Sequence, residues 1–140
     1  FTFTAPPLAD VSNPLTITLR ATDTRGQTTS TAAVQINVTT DQPPVVNLTS
    51  PVDGGEIIEG SRVQVDATVA DDLGVALVEF LVDGVSQGID AVAPYSREVT
   101  IPAGTDGSLV VVEAVATDSA GQQGTGGIAL IRRDDLIPPS

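Results

Sequence analysis

Residues 75–85 read VALVEFLVDGV, an apolar segment that ends in a turn signal. Its apolar side chains alternate between two faces: Val78, Phe80 and Val82 on one, Leu77 and Leu81 on the other. A strand that is apolar on both faces is expected in the middle of its sheet. Asp83-Gly84 then predicts a tight hairpin, because both central residues of a type I′ turn need a positive φ.

Segments with a similar alternation occur on both sides of this hairpin. They are residues 45–49, 63–69, 85–89, 95–101, 110–116 and 128–132. Gly, Pro, Asp, Asn and Ser interrupt them roughly every eight to twelve residues, a spacing that is typical of all-β proteins. Roughly six or seven short strands in about 90 residues predict a two-sheet β-sandwich. The register of the last strand stays open, because Gly126-Gly127 permits two alternations.

A sequence repeat divides the chain. Residues 21–27, ATDTRGQ, recur as residues 116–122, ATDSAGQ, and Pro43-Pro44 recurs as Pro138-Pro139, in each case 95 positions later. A repeat of this size indicates one small domain of a tandem array. The predicted organisation is therefore as follows: the closing strands of a preceding domain in residues 1–41, a stiff Pro-Pro linker in 42–44, a complete domain in 45–133 and a further linker in 134–140.

The segment 1–41 is expected to carry two strands, each with one apolar face. The apolar positions are Leu15, Ile17 and Leu19 in one strand and Val34, Ile36 and Val38 in the other. A two-stranded hairpin is barely stable alone in water. Three arrangements would cover its apolar face: an upstream continuation of the polypeptide, strands from a second chain, or packing onto the complete domain.

An ordered series of short motifs runs from residue 43 to about residue 133. They are Pro43-Pro44, Ser50-Pro51 with Gly54-Gly55, DDLGV at 71–75, VEFLVDG at 78–84, PYS at 94–96 and ATDSAG at 116–121. Together they resemble a bacterial immunoglobulin-like (Ig-like) domain of the Big type, a tandem repeat domain similar to cadherin and fibronectin type III domains. The resemblance implies an all-β, Ig-like two-sheet β-sandwich. It also implies an exported protein, extracellular or on the cell surface, in which the repeat serves as a stalk, adhesin or fibre segment without catalysis.

Charge and missing residue types exclude several classes of function. The formal net charge is −12, with six Arg and no Lys, so the basic surface that nucleic-acid binding requires is missing. The same charge repels anionic lipid and disfavours a membrane partner. Without His, Cys or Lys the chain cannot form a Ser-His pair, a thiolate or a Schiff-base amine. We therefore expect no enzyme activity. The resemblance implies neighbouring Ig-like domains of the same or an adjacent chain as partners.

Calcium is the one cofactor for which the sequence offers ligands, because it binds several oxygen atoms in irregular geometry. In an Ig-like topology, four carboxylates would lie at one pole of the complete domain: Asp41, Asp71, Asp72 and Asp118. The alternative interpretation is structural. Asp23 and Asp118 each begin a tight turn, and an Asp in that position usually hydrogen-bonds its own turn.

Two other functions remain open from the sequence. The chain could be a filament subunit assembled by β-strand complementation, or a carbohydrate- or protein-binding accessory module of a secreted enzyme. Carbohydrate binding calls for exposed aromatic rings, and the aromatic residues are Phe1, Phe3, Phe80 and Tyr95. Phe80 is expected in the interior, because it alternates with core valines. Tyr95 is expected to pack at the edge of the sandwich.

Overall fold

The computed structural model describes residues 2–7 and 13–136. The chain falls into two compact units, Phe1–Asp41 and Gln42–Ser140. Phe1 and the second Pro-Pro pair, Pro138-Pro139, lie outside the described residues. Every secondary-structure element assigned in the described residues is a β-strand, as the sequence predicts. In the same residues, no helix has the length and apolar character needed to span a membrane.

The first unit contains four three-residue strands in its described part. They are β1 (Leu15–Ile17), β2 (Arg20–Thr22), β3 (Thr28–Ser30) and β4 (Val34–Ile36). Strand β1 pairs antiparallel with β4, and β2 with β3. The prediction of two longer strands is wrong, because the ladder breaks at Leu19. Its N–H donates to the Thr31 hydroxyl at 3.0 Å, while its carbonyl accepts from the Thr31 N–H at 2.9 Å.

The second unit is a two-sheet sandwich, which confirms the predicted fold class. Its strands are β5 (Val45–Ser50), β6 (Glu56–Ile58), β7 (Arg62–Ala70), β8 (Val75–Val82), β9 (Val85–Asp90), β10 (Tyr95–Thr100), β11 (Leu109–Asp118) and β12 (Gln123–Arg133). One sheet has the order β10-β7-β5, and the other has the order β6-β12-β11-β8-β9. The parallel pairing of β6 with β12 was not foreseen, since three residues are too few to show an alternation.

The core lies between the inner faces of these two sheets. Its buried apolar residues are Val46, Val65, Ala67, Val78, Phe80, Val82, Val99, Ile101, Val110, Val112, Ala114, Ala116, Ile128 and Leu130. Phe80 is fully buried, and Tyr95 packs against the core while remaining partly exposed. Strand β8 pairs with β11 on one side and β9 on the other, so it lies inside its sheet as predicted.

The hairpin turn after β8 has the predicted conformation. Asp83 has a φ of 47° and Gly84 a φ of 78°, and Val82 pairs directly with Val85. Both central residues therefore occupy the left-handed region, which Gly, Asn and Asp adopt most readily.

The last strand is longer than predicted, and glycine is the reason. A Cβ at Gly124 would overlap the Pro44 carbonyl, and one at Gly126 would overlap the Val46 carbonyl. Glycines therefore let β12 approach the chain at the start of β5. This settles the open register, with Ile128 and Leu130 facing the core. It also buries Pro44, so this residue is part of the sandwich rather than of a linker.

The close approach of β12 to β5 gives a testable prediction. Gly126→Ala should lower the free energy of unfolding by about 2 kcal/mol or more, because a backbone carbonyl cannot yield to the new methyl group. Gly127→Ala is the matched control, since its Cβ would lie 3.3 Å from the movable Glu113 side chain. We expect the control to change stability by less than about 1 kcal/mol. Urea denaturation measures both, and equal effects would contradict the explanation.

Candidate functional site

Two sets of hydrogen-bonded polar groups lie at the two ends of the second unit. The Asp118 pole comprises the β7–β8 loop, residues 71–74, and the β11–β12 turn, residues 118–122. The Arg132 pole comprises the β8–β9 turn, the β10–β11 loop and the end of β12. Strand β11 has 10 residues, which separates the poles by roughly 30 Å.

Asp118 holds the tight turn between β11 and β12. Its Oδ1 accepts hydrogen bonds from the backbone N–H groups of Ala120 and Gln122, both at 2.8 Å. This confirms the structural interpretation of the residue for one of its two oxygens. The residue is only 2% exposed, and its Oδ2 is buried without a hydrogen-bond partner in the described part of the chain.

Asp71 repeats this pattern in the neighbouring loop. Its Oδ2 accepts hydrogen bonds from the backbone N–H groups of Leu73, at 3.0 Å, and Gly74, at 2.5 Å. Its Oδ1 is buried, and the described residues provide no hydrogen-bond partner for it. Each of these two aspartates therefore uses one oxygen for its loop and leaves the other unsatisfied.

Gly74 joins the two aspartates. Its N–H donates to Asp71, and its carbonyl accepts from the backbone N–H of Ser119, at 2.9 Å, and from the Ser119 hydroxyl, at 3.0 Å. Asp118 also pairs with Val75 across the sheet. The fold thus places Asp71 and Asp118 at the same pole, on two segments that hydrogen-bond to each other.

The other two predicted calcium ligands have different surroundings. Asp72 is exposed, and its Oδ1 accepts the Gln42 N–H at 3.3 Å. Asp41 is the last residue of the first unit and is half-buried. Within residues 2–7 and 13–136, no three His, Cys, Asp or Glu side chains converge into a group that could hold a metal ion.

Asp23 provides an internal comparison for Asp118. Its Oδ1 accepts the N–H groups of Arg25, at 2.8 Å, and Gln27, at 2.9 Å, which reproduces the Asp118 turn one repeat earlier. This turn is exposed throughout. The turn itself therefore does not require a buried carboxylate, and the burial of Asp118 comes from the fold of the second unit.

An ionic network around the buried side chain of Arg132 holds the Arg132 pole together, with Asp83 as its exposed partner. The guanidinium of Arg132 donates from Nη2 to Asp83 Oδ2 at 3.1 Å, from Nε to the Pro102 carbonyl at 3.0 Å and from Nη1 to Ser108 Oγ at 2.6 Å. Asp83 Oδ1 in turn accepts the Val111 N–H at 2.8 Å. The sequence alone did not indicate a structural role for Arg132. Arg132 continues the alternation of Ile128 and Leu130, and this pattern could have predicted that its side chain faces the interior.

A shallow depression of about 290 Å³ lies beside this network. Its lining consists of Val82, Asp83, Val85, Gln87, Thr100, Pro102 and Ala103. Asp83 is the only titratable group among these residues, and it is bonded to Arg132. The lining therefore supplies no pair of a nucleophile and a base.

Asp90 fixes the turn between β9 and β10. Its Oδ2 accepts the Ser96 N–H at 3.0 Å and its Oδ1 accepts the Val92 N–H at 3.1 Å. These two bonds, chiefly that from Ser96, favour the ionised carboxylate and hold the pKa of Asp90 below its usual value. A lowered pKa in the folded state means that this contribution to stability is present near neutral pH and is lost as the pH falls.

Comparison with known proteins supports the fold. Residues 44–112 match the sequence profile of a family described as a bacterial Ig domain. No curated protein sequence matches the chain. Among solved structures, the fibronectin(III)-like modules of Clostridium thermocellum CbhA are similar, with 22% identity and a TM-score of 0.61 over 88% of this chain. This chain covers 64% of theirs, so it spans less than two thirds of that structure.

A second similar structure is a β-glucuronidase from Bacteroides uniformis. The identity is 16% and the TM-score 0.48, over 65% of this chain and 11% of the enzyme chain. The score is too low to support an argument. The similarity to the CbhA modules, at 22% identity, shows the fold alone.

The Arg132 network yields a prediction with a matched control. Arg132→Met should lower the free energy of unfolding by about 2 kcal/mol or more, because it removes the donors to Asp83 Oδ2, the Pro102 carbonyl and Ser108 Oγ. Arg62→Met removes an ion pair with Glu98 whose side chains are 74% and 62% exposed. That change should cost less than about 1 kcal/mol. Urea denaturation compares the two variants, and similar losses would refute the assignment.

Proposed function

Because the chain contains a bacterial Ig-like domain in its second unit, we propose that it is a non-catalytic spacer segment of a large extracellular or cell-surface bacterial protein. The observation that carries this proposal is the path of the chain through the second unit. The polypeptide begins its first strand at one pole and completes its last strand at the other.

The strand pairing establishes this path. Strand β5 begins at Val45, which pairs with Ala70, immediately before the loop of the Asp118 pole. Strand β12 ends at Arg133, beside the Arg132 network. The 11 residues of β12 cover roughly 36 Å. Units connected in this way add their lengths end to end, which is the geometry that a spacer needs.

The pairing of β6 with β12 suits a load-bearing role. Three residues of β6 pair in parallel with the end of β12, from Glu56 with Ile131 to Ile58 with Arg133. A pull on the two ends of the unit draws these parallel strands in opposite directions along their length. Their hydrogen bonds are then loaded together rather than opened one after another.

The use of polar groups is consistent with a non-catalytic role. Arg132 and Asp83 are bonded to each other, and Asp90 is bonded to its own turn. A location outside the cell agrees with the bacterial Ig-like family and with a net charge of −12, which favours solubility.

A second candidate function is assembly into a filament by strand complementation. The described part of the first unit exposes apolar side chains on its short strands and between them: Leu19 by 68%, Val34 by 58% and Ile36 by 45%. Both of its sheets are two-stranded, so each strand has an edge without a partner inside its sheet. Such edges can accept a strand from another chain.

Force spectroscopy on the full chain, held at its two ends, tests the spacer proposal. The second unit should unfold in one step, with a gain in length of roughly 280 Å for the residues from β5 to β12. Gradual extension without a distinct force peak would contradict a load-bearing spacer.

Two further measurements separate the alternatives. Sedimentation should show a monomer for a spacer, and concentration-dependent polymers that disappear in Val34→Asp would favour the filament instead. A glycan array should show no binding. Binding that is lost on Tyr95→Ala would favour the carbohydrate-binding accessory module and contradict the spacer proposal.

A further inference from the structure

We propose that the Asp118 pole binds one calcium ion, with Oδ1 of Asp71 and Oδ2 of Asp118 as its carboxylate ligands. This site goes beyond the spacer function and does not depend on it. A spacer could stand without calcium, and calcium could bind whatever the chain's role.

The unsatisfied oxygens are the first argument. Asp118 is only 2% exposed, and its Oδ2 has no hydrogen-bond partner in the described residues. Oδ1 of Asp71, on the adjoining segment, is in the same state. A buried carboxylate oxygen that has lost water without gaining a donor destabilises the fold. Two such oxygens on hydrogen-bonded neighbouring segments would be stabilised together by a cation.

The distribution of positive charge is the second argument. The second unit contains four Arg and neither Lys nor His. Each Arg is bonded away from the Asp118 pole: Arg62 to Glu98, Arg97 to the Gln87 carbonyl, Arg132 to Asp83 and Arg133 to Glu56. Asp72 adds a third carboxylate to the same loop. The described arginine contacts of the second unit therefore leave the carboxylates of this pole without a neutralising charge.

The ligand chemistry selects calcium among common cations. Carboxylate oxygens are hard ligands, and calcium accepts irregular arrangements that magnesium, with its strict octahedral geometry, disfavours. Two carboxylates leave several positions to water or backbone carbonyl oxygens. The described residues contain no group of three acidic side chains at a metal site. We therefore expect weak binding, with a Kd of about 0.1–1 mM, as in extracellular modules.

Asp23 supplies the control that makes the proposal testable. Its Oδ1 makes the same two turn hydrogen bonds as that of Asp118, but its turn is exposed. Asp→Asn at either position keeps an oxygen for the turn and removes the charge. A purely structural role predicts the same response to calcium in both variants, whereas a calcium site predicts different responses.

The experiment measures the melting temperature of the full chain after removal of metal by a chelator. Addition of 10 mM CaCl2 should raise the Tm by about 5 °C or more for a Kd near 1 mM. MgCl2 at the same concentration should raise it by less than half as much. Asp23→Asn should retain the calcium shift, while Asp118→Asn and Asp71→Asn should lose most of it. Equilibrium dialysis should find about one calcium ion per chain.

Three results would overturn the proposal. They are a wild-type Tm that calcium does not change, equal shifts with calcium and magnesium, and an Asp118→Asn variant that responds like Asp23→Asn. Circular dichroism confirms that each variant is folded. If Asp118→Asn does not fold, Asp71→Asn carries the same test, because its Oδ2 hydrogen bonds can be kept by the Asn oxygen.

Discussion

The packing of two apolar sheet faces against each other is the constraint from which the second unit follows. Strand β8 contributes Val78, Phe80 and Val82 to this interior, and β7 faces them with Val65 and Ala67. Because side chains alternate in a strand, burying these positions fixes the register of every neighbouring strand. The polar residues are then confined to the outer faces and to the two poles. The location of every charged network described above is a consequence of that arrangement.

The features that the sequence predicted well depend on local rules. The alternation around Phe80 and the Asp83-Gly84 turn can be read from neighbouring residues, since strand period and turn conformation are local properties. The four short strands of the first unit were not predicted. The break at Leu19 depends on its hydrogen bonds with Thr31, twelve residues away, which no alternation reveals.

The features that the sequence did not predict depend on distant partners. Strand β12 has glycine at position 126 because the Val46 carbonyl lies too close for a Cβ atom. These two residues are 80 positions apart in the sequence. Arg132 is buried because Asp83, Pro102 and Ser108 receive its donors. At the Asp118 pole, the sequence predicted that Asp118 hydrogen-bonds its own turn. It did not predict that the side chain is buried with its Oδ2 unsatisfied. Asp23 makes the same turn hydrogen bonds, but its turn is exposed, so its carboxylate is not buried. The turn and the burial of its aspartate are therefore separate features.

The position of β12 within its sheet determines when the second unit can fold. This last strand lies between β11 and β6, and it also packs against β5, which comes first in the unit. Without it, β6 has no partner in the sheet and the apolar faces of β5 and β11 stay open to water. A newly made chain therefore cannot close the sandwich until its final strand has emerged from the ribosome. Until then the apolar side chains that will form the core of the second unit stay exposed to water.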